Sequence, residues 1–139
     1  MNKNNGFTLI EILVVATIIV LLTATAAVTY STLLKQSRDA KRKTDLEQVR
    51  AALEMYRSNS GSYPIGTWGN LSVLTAPVTY IQSLPTDPKN PTYIYYYNSA
   101  TGSDYTLATH LETVAATCQS LTTQCISNCT YCLGPYGQK

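Results

Sequence analysis

Residues 7–28 read FTLIEILVVATIIVLLTATAAV, and this stretch decides the architecture of the chain. It is apolar apart from four threonines and one carboxylate, Glu11. A helix of about 20 apolar residues crosses the hydrocarbon core of a bilayer. A secretory signal peptide has a shorter apolar run that ends at a small-residue cleavage site. The length of the run therefore predicts a transmembrane helix.

The rest of the composition fits a membrane segment joined to one small domain. The chain has 139 residues, of which 13% are charged, against roughly 25% in an ordinary globular protein. The deficit lies at the start, because Glu11 is the only charged residue between Phe7 and Leu34. The net charge of +2 is too small to indicate nucleic-acid binding by itself.

The helix is expected to continue beyond the membrane, because no Pro or Gly occurs between Phe7 and Ser60. Residues 58–64 form a strong stop signal. One apolar face, spaced by three and four residues, is formed by Leu46, Val49, Leu53 and Tyr56. Surface ion pairs are predicted from spacing for Asp39–Lys43, Arg50–Glu54 and Glu54–Arg57.

The C-terminal half has the pattern of short strands and turns. We expect Asn70 to cap a short helix over residues 71–76. Residues 92–97 are rich in strand formers, residues 98–103 have the composition of a hairpin loop, and residues 105–111 alternate like a partner strand. The sequence therefore predicts an α+β fold, in which a small antiparallel sheet packs on the second half of the helix.

The segment from Gly6 to Glu11, GFTLIE, placed before a long apolar helix, resembles the prepilin signature of type IV pilins and type II secretion pseudopilins. The resemblance implies a type IV pilin-like fold and a leader that prepilin peptidase removes between Gly6 and Phe7. It also implies N-methylation of Phe7. In the resembling filaments, Glu11 of one subunit pairs with the Phe7 amine of its neighbour. An unpaired charge in an apolar core is strongly disfavoured.

With the leader that the resemblance implies, the chain is expected to have four segments, and the resemblance also implies a set of partners. The segments are a leader, 1–6; a transmembrane and filament-core helix, 7–34; its amphipathic second half, 35–60; and a globular part, 61–139. The partners are copies of the chain itself, the peptidase, a membrane platform protein and an assembly ATPase. We expect a single-pass protein of the cytoplasmic membrane with an extracytoplasmic C-terminal domain, which then enters an extracellular pilus or a periplasmic pseudopilus.

A basic cluster follows the apolar run, formed by Lys35, Arg38, Lys41, Arg42 and Lys43. Such a cluster can bind anionic lipid headgroups or DNA, but charge runs are usually solvated. We expect a solvated helix face that pairs with acidic groups of neighbouring subunits. The cluster also conflicts with the positive-inside rule, which would place this flank in the cytoplasm.

Four cysteines lie near the C-terminus, Cys118, Cys125, Cys129 and Cys132. Four thiolates can hold zinc, but outside the cytoplasm two disulfides are the better prediction. Three pairings are possible, and the sequence does not choose among them. Many type IV pilins close a C-terminal loop with a disulfide, whereas type II pseudopilins generally do not, so this region favours a pilin.

Residues 84–88, LPTDP, followed by a Tyr-rich strand and a hairpin, resemble the major pseudopilin of type II secretion. That family carries an acidic, Gly-rich calcium loop after the hairpin, and we find none here. Asp87 and Asp104 are isolated, whereas a calcium site needs about six to eight oxygen ligands. We interpret both as turn residues and predict no metal and no cofactor.

No arrangement of residues indicates catalysis. His110, the single histidine, falls within a predicted strand, and a general base needs partners within reach. Stacking on DNA is unsupported, because no Lys or Arg alternates with Tyr93–Tyr97. We therefore predict a non-enzymatic subunit of a type IV pilus, serving adhesion, motility or DNA uptake. The alternatives are a type II secretion pseudopilin and an anchored ligand-binding module that never polymerises.

Overall fold

The computed structural model describes residues 6–115, 118, 121 and 124–139. The chain divides into two compact units, Met1–Lys35 and Gln36–Lys139. One helix, α1, extends from Leu9 to Ser60 and contributes to both units. The prediction of a single long helix is confirmed, and the helix ends where Gly61 adopts a positive φ of 81°, a conformation that glycine adopts at little cost.

In the first unit, the described part of α1 is mostly apolar, and its side chains at residues 9–27 and 29–35 are exposed. Its most apolar window has a mean hydropathy of 2.6, and none of that window is buried within the protein. This helix is long and apolar enough to cross a membrane. The hydroxyls of Thr17, Thr23, Thr25 and Thr29 donate to backbone carbonyls three or four residues earlier. These bonds satisfy the hydroxyls inside the helix, so threonine is tolerated in a lipid-facing segment.

In the second unit, the C-terminal part of α1 carries the core on one face. Leu46, Val49 and Leu53 are fully buried, and Tyr56 packs at the margin, which confirms the predicted apolar face. They meet Tyr97, Leu107 and Leu133 of the sheet, together with Leu71 and Leu74. Burying each such leucine contributes roughly 1.5–3 kcal/mol. This contact fixes the sheet on the helix.

A short 3-10 helix, Trp68–Leu74, follows α1. The predicted helix at residues 71–76 is therefore misplaced by about one turn. Its N-cap is Thr67, and Asn70 lies in its first turn, where its Oδ1 accepts the Thr67 backbone N–H at 2.9 Å. Asn70 thus supports the cap from inside the helix, as the second partner of a capping box does.

The sheet has five antiparallel strands in chain order, β1-β2-β3-β4-β5. Its strands are β1 (Gly66–Thr67), β2 (Tyr96–Ser99), β3 (Thr106–Thr109), β4 (Tyr131–Gly134) and β5 (Gly137–Gln138). The register of the central hairpin places Tyr97 opposite Leu107. The predicted pair of strands is present, which confirms the α+β fold, but both strands are displaced or shortened.

The displacement of β2 has a local cause. Residues 89–93 form a turn, in which the N–H of Thr92 and that of Tyr93 both donate to the Lys89 carbonyl. These donors are therefore unavailable to a strand, and β2 begins only at Tyr96. It then continues through Asn98 and Ser99, which their composition predicts to be loop residues.

Candidate functional site

The residues of the predicted processing site lie just before α1. Gly6 and Phe7 precede the helix and are exposed, with Phe7 at 84%. Exposed, non-helical segments are the preferred substrates of proteases. The structure therefore places the Gly6–Phe7 bond where a peptidase can reach it, while cleavage and methylation themselves stay predictions.

Glu11 is tied to the first residue before the helix. Its Oε2 accepts hydrogen bonds from the Thr8 backbone N–H at 2.8 Å and from the Thr8 hydroxyl at 2.9 Å. The Thr8 hydroxyl oxygen accepts the Glu11 N–H at 3.3 Å. This reciprocal arrangement is a capping box. In the described residues, Glu11 Oε1 accepts no hydrogen bond, so one carboxylate oxygen remains open to an external cation.

The second unit contains an ionic cluster around a buried arginine, which we call the Arg42 cluster: Arg38, Asp39, Arg42, Asp87, Lys89 and Glu112. The Arg42 side chain is fully buried and binds Asp87 through two bonds, Nε–Oδ2 at 2.7 Å and Nη2–Oδ1 at 3.0 Å. Its Nη1 also donates to Asp39 Oδ1 at 2.9 Å and to Glu112 Oε1 at 3.0 Å. A buried guanidinium with this many acceptors holds several chain segments in place.

Asp39 extends this cluster to the backbone. It accepts the backbone N–H groups of Glu112 and Thr113, each at 2.9 Å, and the Thr113 hydroxyl at 2.7 Å. Glu112 in turn binds Arg38 through two bonds and Lys89 through one. The cluster therefore joins three separate parts of the chain: the helix, the turn at 87–89 and the segment at 112–113.

The cluster stabilises its charged forms. Hydrogen bonds from Arg38 hold the pKa of Glu112 well below its usual range, against the opposing effect of burial. Burial alone would raise the pKa of Asp39, but hydrogen bonds from Thr113 and the backbone outweigh it and lower the pKa. Burial likewise opposes the charge of Arg42, yet hydrogen bonds to Asp87 raise its pKa. The three groups stay ionised at neutral pH.

These contacts correct the predictions for the basic cluster. Arg38 and Arg42 are not part of a solvated face, because the fold uses both internally. Asp39 pairs with Arg42 and not with Lys43. Asp87 is a turn residue, since its Oδ1 accepts the Lys89 N–H at 2.7 Å, but sequence reasoning missed its salt bridge. Within the cluster, only the Asp39–Arg42 pair had a signal in the sequence, namely its three-residue spacing on the helix.

The other predicted ion pairs are also replaced by different partners. Arg50 binds Glu47 at 3.0 Å and not Glu54. Glu54 accepts the Tyr63 hydroxyl at 2.9 Å, and that hydroxyl accepts a hydrogen bond from Arg57. The Tyr63 hydroxyl therefore bridges Glu54 and Arg57, because the chain folds back over this part of the helix.

The cysteines form two disulfides, Cys118–Cys132 and Cys125–Cys129. This is one of the three pairings that the sequence left open. All four cysteines are buried and pack with Ala108, and Tyr96 and Leu121 lie against them. Sulfur atoms thus form most of a second small core, in a region that has few aliphatic side chains.

His110 and Asp104 both have structural partners. His110 lies just after β3, stacks on Tyr93 with ring centres 4.5 Å apart, and its Nδ1 lies 2.8 Å from the Asn128 carbonyl oxygen. Asp104 pairs with Lys139 at 2.9 Å, and its Oδ1 accepts the Tyr105 N–H. Among the residues that the structure describes, no three His, Cys, Asp or Glu side chains converge on a metal position.

Comparison with known proteins gives two family matches. Residues 1–27 match the prokaryotic N-terminal methylation motif. Residues 30–112 match the family "Type II secretion system (T2SS), protein G". Together these two matches cover the apolar helix except residues 28–29, the Arg42 cluster and the central hairpin, and they stop before the cysteines.

Curated relatives agree with the second match. A type II secretion system core protein G of Klebsiella pneumoniae is 32% identical over 107 residues, covering 67% of this chain and 74% of the relative. Proteins of the same name from Pseudomonas aeruginosa and Vibrio cholerae are each 30% identical, covering 67% and 68% of this chain and 73% and 72% of theirs. No solved structure matches the chain significantly.

Proposed function

The chain belongs to the type II secretion system protein G family, and from this premise we propose that it is a pseudopilin. In this proposal it is a non-enzymatic subunit, stored in the membrane, that polymerises into a periplasmic filament. The observation that carries the proposal is the match of residues 30–112 to protein G, directly after a methylation motif at 1–27. The comparisons thus favour the pseudopilin over the type IV pilus subunit that the sequence analysis predicts.

The proposed assembly starts at the exposed Gly6–Phe7 bond. Cleavage by prepilin peptidase frees the Phe7 amine, and methylation modifies it. Glu11 supports the next step, because its Oε1 is open in the described residues while Oε2 is held by Thr8. The amine of a neighbouring copy would bind this carboxylate. In an apolar filament core, leaving either charge unpaired is strongly unfavourable, so the pair sets the register between subunits.

The C-terminal domain supports the proposal in a different way. A filament subunit must keep its shape while its helix leaves the lipid. The Arg42 cluster and the two disulfides hold the loops of this domain on α1 and on each other. A platform protein and an ATPase belong to the proposal as partners that the family implies.

One observation favours a type IV pilus as second candidate. The two disulfides lie beyond the part of the chain that matches protein G, and they suit a filament exposed outside the cell. The two candidates differ in where the processed chain accumulates. A pseudopilin stays with the cell envelope, whereas a pilus is released by shearing.

The test combines mass spectrometry with one charge reversal. We expect processed protein that begins at methylated Phe7, gains four hydrogens on reduction and stays with the envelope. Glu11→Lys should abolish filament assembly, whereas Glu47→Lys, which reverses an exposed carboxylate of the domain, should not. Chain that still carries Met1 would refute the prepilin assignment. Normal assembly of Glu11→Lys would refute the pairing, and abundant sheared filaments would favour the pilus.

A further inference from the structure

The carboxylates of the second unit are already bonded within their own chain. Seven of the eight acidic residues lie in this unit, since only Glu11 precedes it. Their partners are Arg42 for Asp39 and Asp87, Tyr95 for Asp45, Arg50 for Glu47, Tyr63 for Glu54, Lys139 for Asp104, and Arg38 with Lys89 for Glu112. None of the seven is left without a hydrogen-bond donor.

Three lysines of the basic cluster remain without an acidic partner. Lys35, Lys41 and Lys43 are exposed, and within the described residues none of them forms a salt bridge. Lys43 lies over the ring of Tyr131, with Nζ 5.5 Å from the ring centre. In the basic cluster, the two arginines therefore form salt bridges within the domain, whereas the three lysines form none among the described residues.

This difference weakens the prediction that the lysines pair with neighbouring subunits. Among the seven carboxylates, the exposed ones that a lysine of another copy can reach are Glu47 and Asp104. An ion pair with either of them is exposed to solvent, and exposed pairs contribute only about 0–1 kcal/mol each. A second copy therefore offers the lysines little net attraction.

We propose that Lys35, Lys41 and Lys43 bind anionic phospholipid headgroups, in the leaflet on the side of the C-terminal domain. Two observations carry this. Lys35 is the first charged residue after Glu11, and all three lysines lie within nine residues of Leu34, on the flank where a spanning helix leaves the membrane. Their charge also complements lipid phosphate, to which lysines near a membrane surface are attracted. The inference rests on the membrane placement in the proposed function, but not on assembly.

The consequence concerns the stored subunit. Each lysine near an anionic surface raises the affinity for that membrane by roughly fivefold, and three lysines raise it on the order of 100-fold. Subunits waiting in the membrane would therefore concentrate in lipid rich in anionic headgroups. This attraction is lost when a subunit leaves the bilayer, so the lysines hold the subunit in its stored state.

The test uses the full chain, with its leader, partitioning from dilute detergent between two vesicle populations. One is phosphatidylcholine, and the other is an equal mixture of phosphatidylcholine and phosphatidylglycerol. We expect the chain to prefer the anionic vesicles, and the preference to fall as sodium chloride is raised. The variant with Lys35→Gln, Lys41→Gln and Lys43→Gln should lose most of the preference.

A matched control removes the same charge elsewhere. The control variant carries Arg50→Gln, Arg57→Gln and Lys139→Gln. These residues lie further along the chain from the apolar run, so this variant should keep the preference for anionic vesicles. Circular dichroism checks that both variants are folded. Equal losses in the two variants would overturn the proposal, because total charge would then be the cause.

Two further outcomes would also overturn it. If inorganic phosphate removes the preference at an ionic strength where chloride does not, the lysines bind a free anion and not a lipid. If the lysine variant instead reduces cross-linking between copies in neutral vesicles, the partner is a second subunit. The vesicle experiment needs neither the peptidase nor filament assembly. A failure of the proposed function in cells can therefore be distinguished from a failure of lipid binding in vesicles.

Discussion

Replacing Arg42 by methionine tests the Arg42 cluster most directly. The substitution keeps most of the side-chain volume and removes the charge. In the folded protein the Arg42 and Asp87 side chains are both fully buried. Arg42→Met therefore leaves the Asp87 carboxylate inside the protein with one remaining hydrogen bond, from the Lys89 N–H.

The expected loss follows from the contacts that disappear. Arg42 makes two bonds to Asp87, one to Asp39 and one to Glu112. Removing one partner of a buried ion pair typically costs about 3–5 kcal/mol, mostly because a charge is left uncompensated. Asp39 and Glu112 retain Thr113 and Arg38 as donors, so the loss is expected from Asp87 alone.

The assay is urea unfolding of the full chain in mild detergent at pH 7, with disulfides intact, followed by near-ultraviolet circular dichroism. Arg50→Met is the matched control, because the Arg50–Glu47 pair is exposed and should contribute less than about 1 kcal/mol. The double variant Arg42→Met with Asp87→Leu should recover most of the lost stability, since a buried pair replaced by apolar residues is often neutral.

Two results would refute the reasoning. The first is an Arg42→Met loss no larger than that of Arg50→Met, which would mean that Asp87 is hydrated in solution. The second is a double variant as unstable as Arg42→Met, which would mean that the loss comes from packing and not from the stranded charge.

Acid should unfold the domain, because the pKa values of Glu112 and Asp39 are lower in the folded state than in the unfolded chain. Their contribution to the free energy of unfolding is complete above the unfolded pKa values of about 4 and is lost as the pH falls towards the folded values. The urea midpoint should therefore decline between pH 6 and 2, and Glu112→Gln should make this decline shallower. An unchanged slope in the variant would contradict the argument. The disulfides should contribute unequally, because the cross-linked cysteines are 14 residues apart in Cys118–Cys132 and 4 in Cys125–Cys129. Replacing the first pair by serines should cost about 3 kcal/mol and the second about 2 kcal/mol, and the reverse order of urea midpoints would contradict the loop-entropy argument.

The parts of the fold that local patterns encode were predictable. The uninterrupted apolar run predicts α1, and the three- and four-residue spacing predicts the buried face of Leu46, Val49 and Leu53. The central hairpin was predictable from its strand formers, although the turn at Lys89–Tyr93 takes the first residues of the predicted strand. β1 and β5 have two residues each, too few to show any alternation.

The Arg42 cluster was not predictable, because its partners are far apart in sequence. Asp87 lies 45 residues from Arg42, and Glu112 lies 70 residues from it. Periodicity and spacing report neighbours within a few turns of a helix, so they identified the charges but not their pairing. The disulfide pairing was unpredictable for the same reason, because the fold and not the local sequence selects among the three possible pairings.

Both outer strands of the sheet, Gly66–Thr67 and Gly137–Gln138, are only two residues long. An exposed edge strand is a template on which another chain can add by backbone hydrogen bonds, and proteins shorten such edges to prevent it. In the proposed function, subunits stored in a membrane or packed along a filament would meet at very high local concentration. With edges this short, the domains in the proposed filament would stand side by side without joining into one continuous sheet.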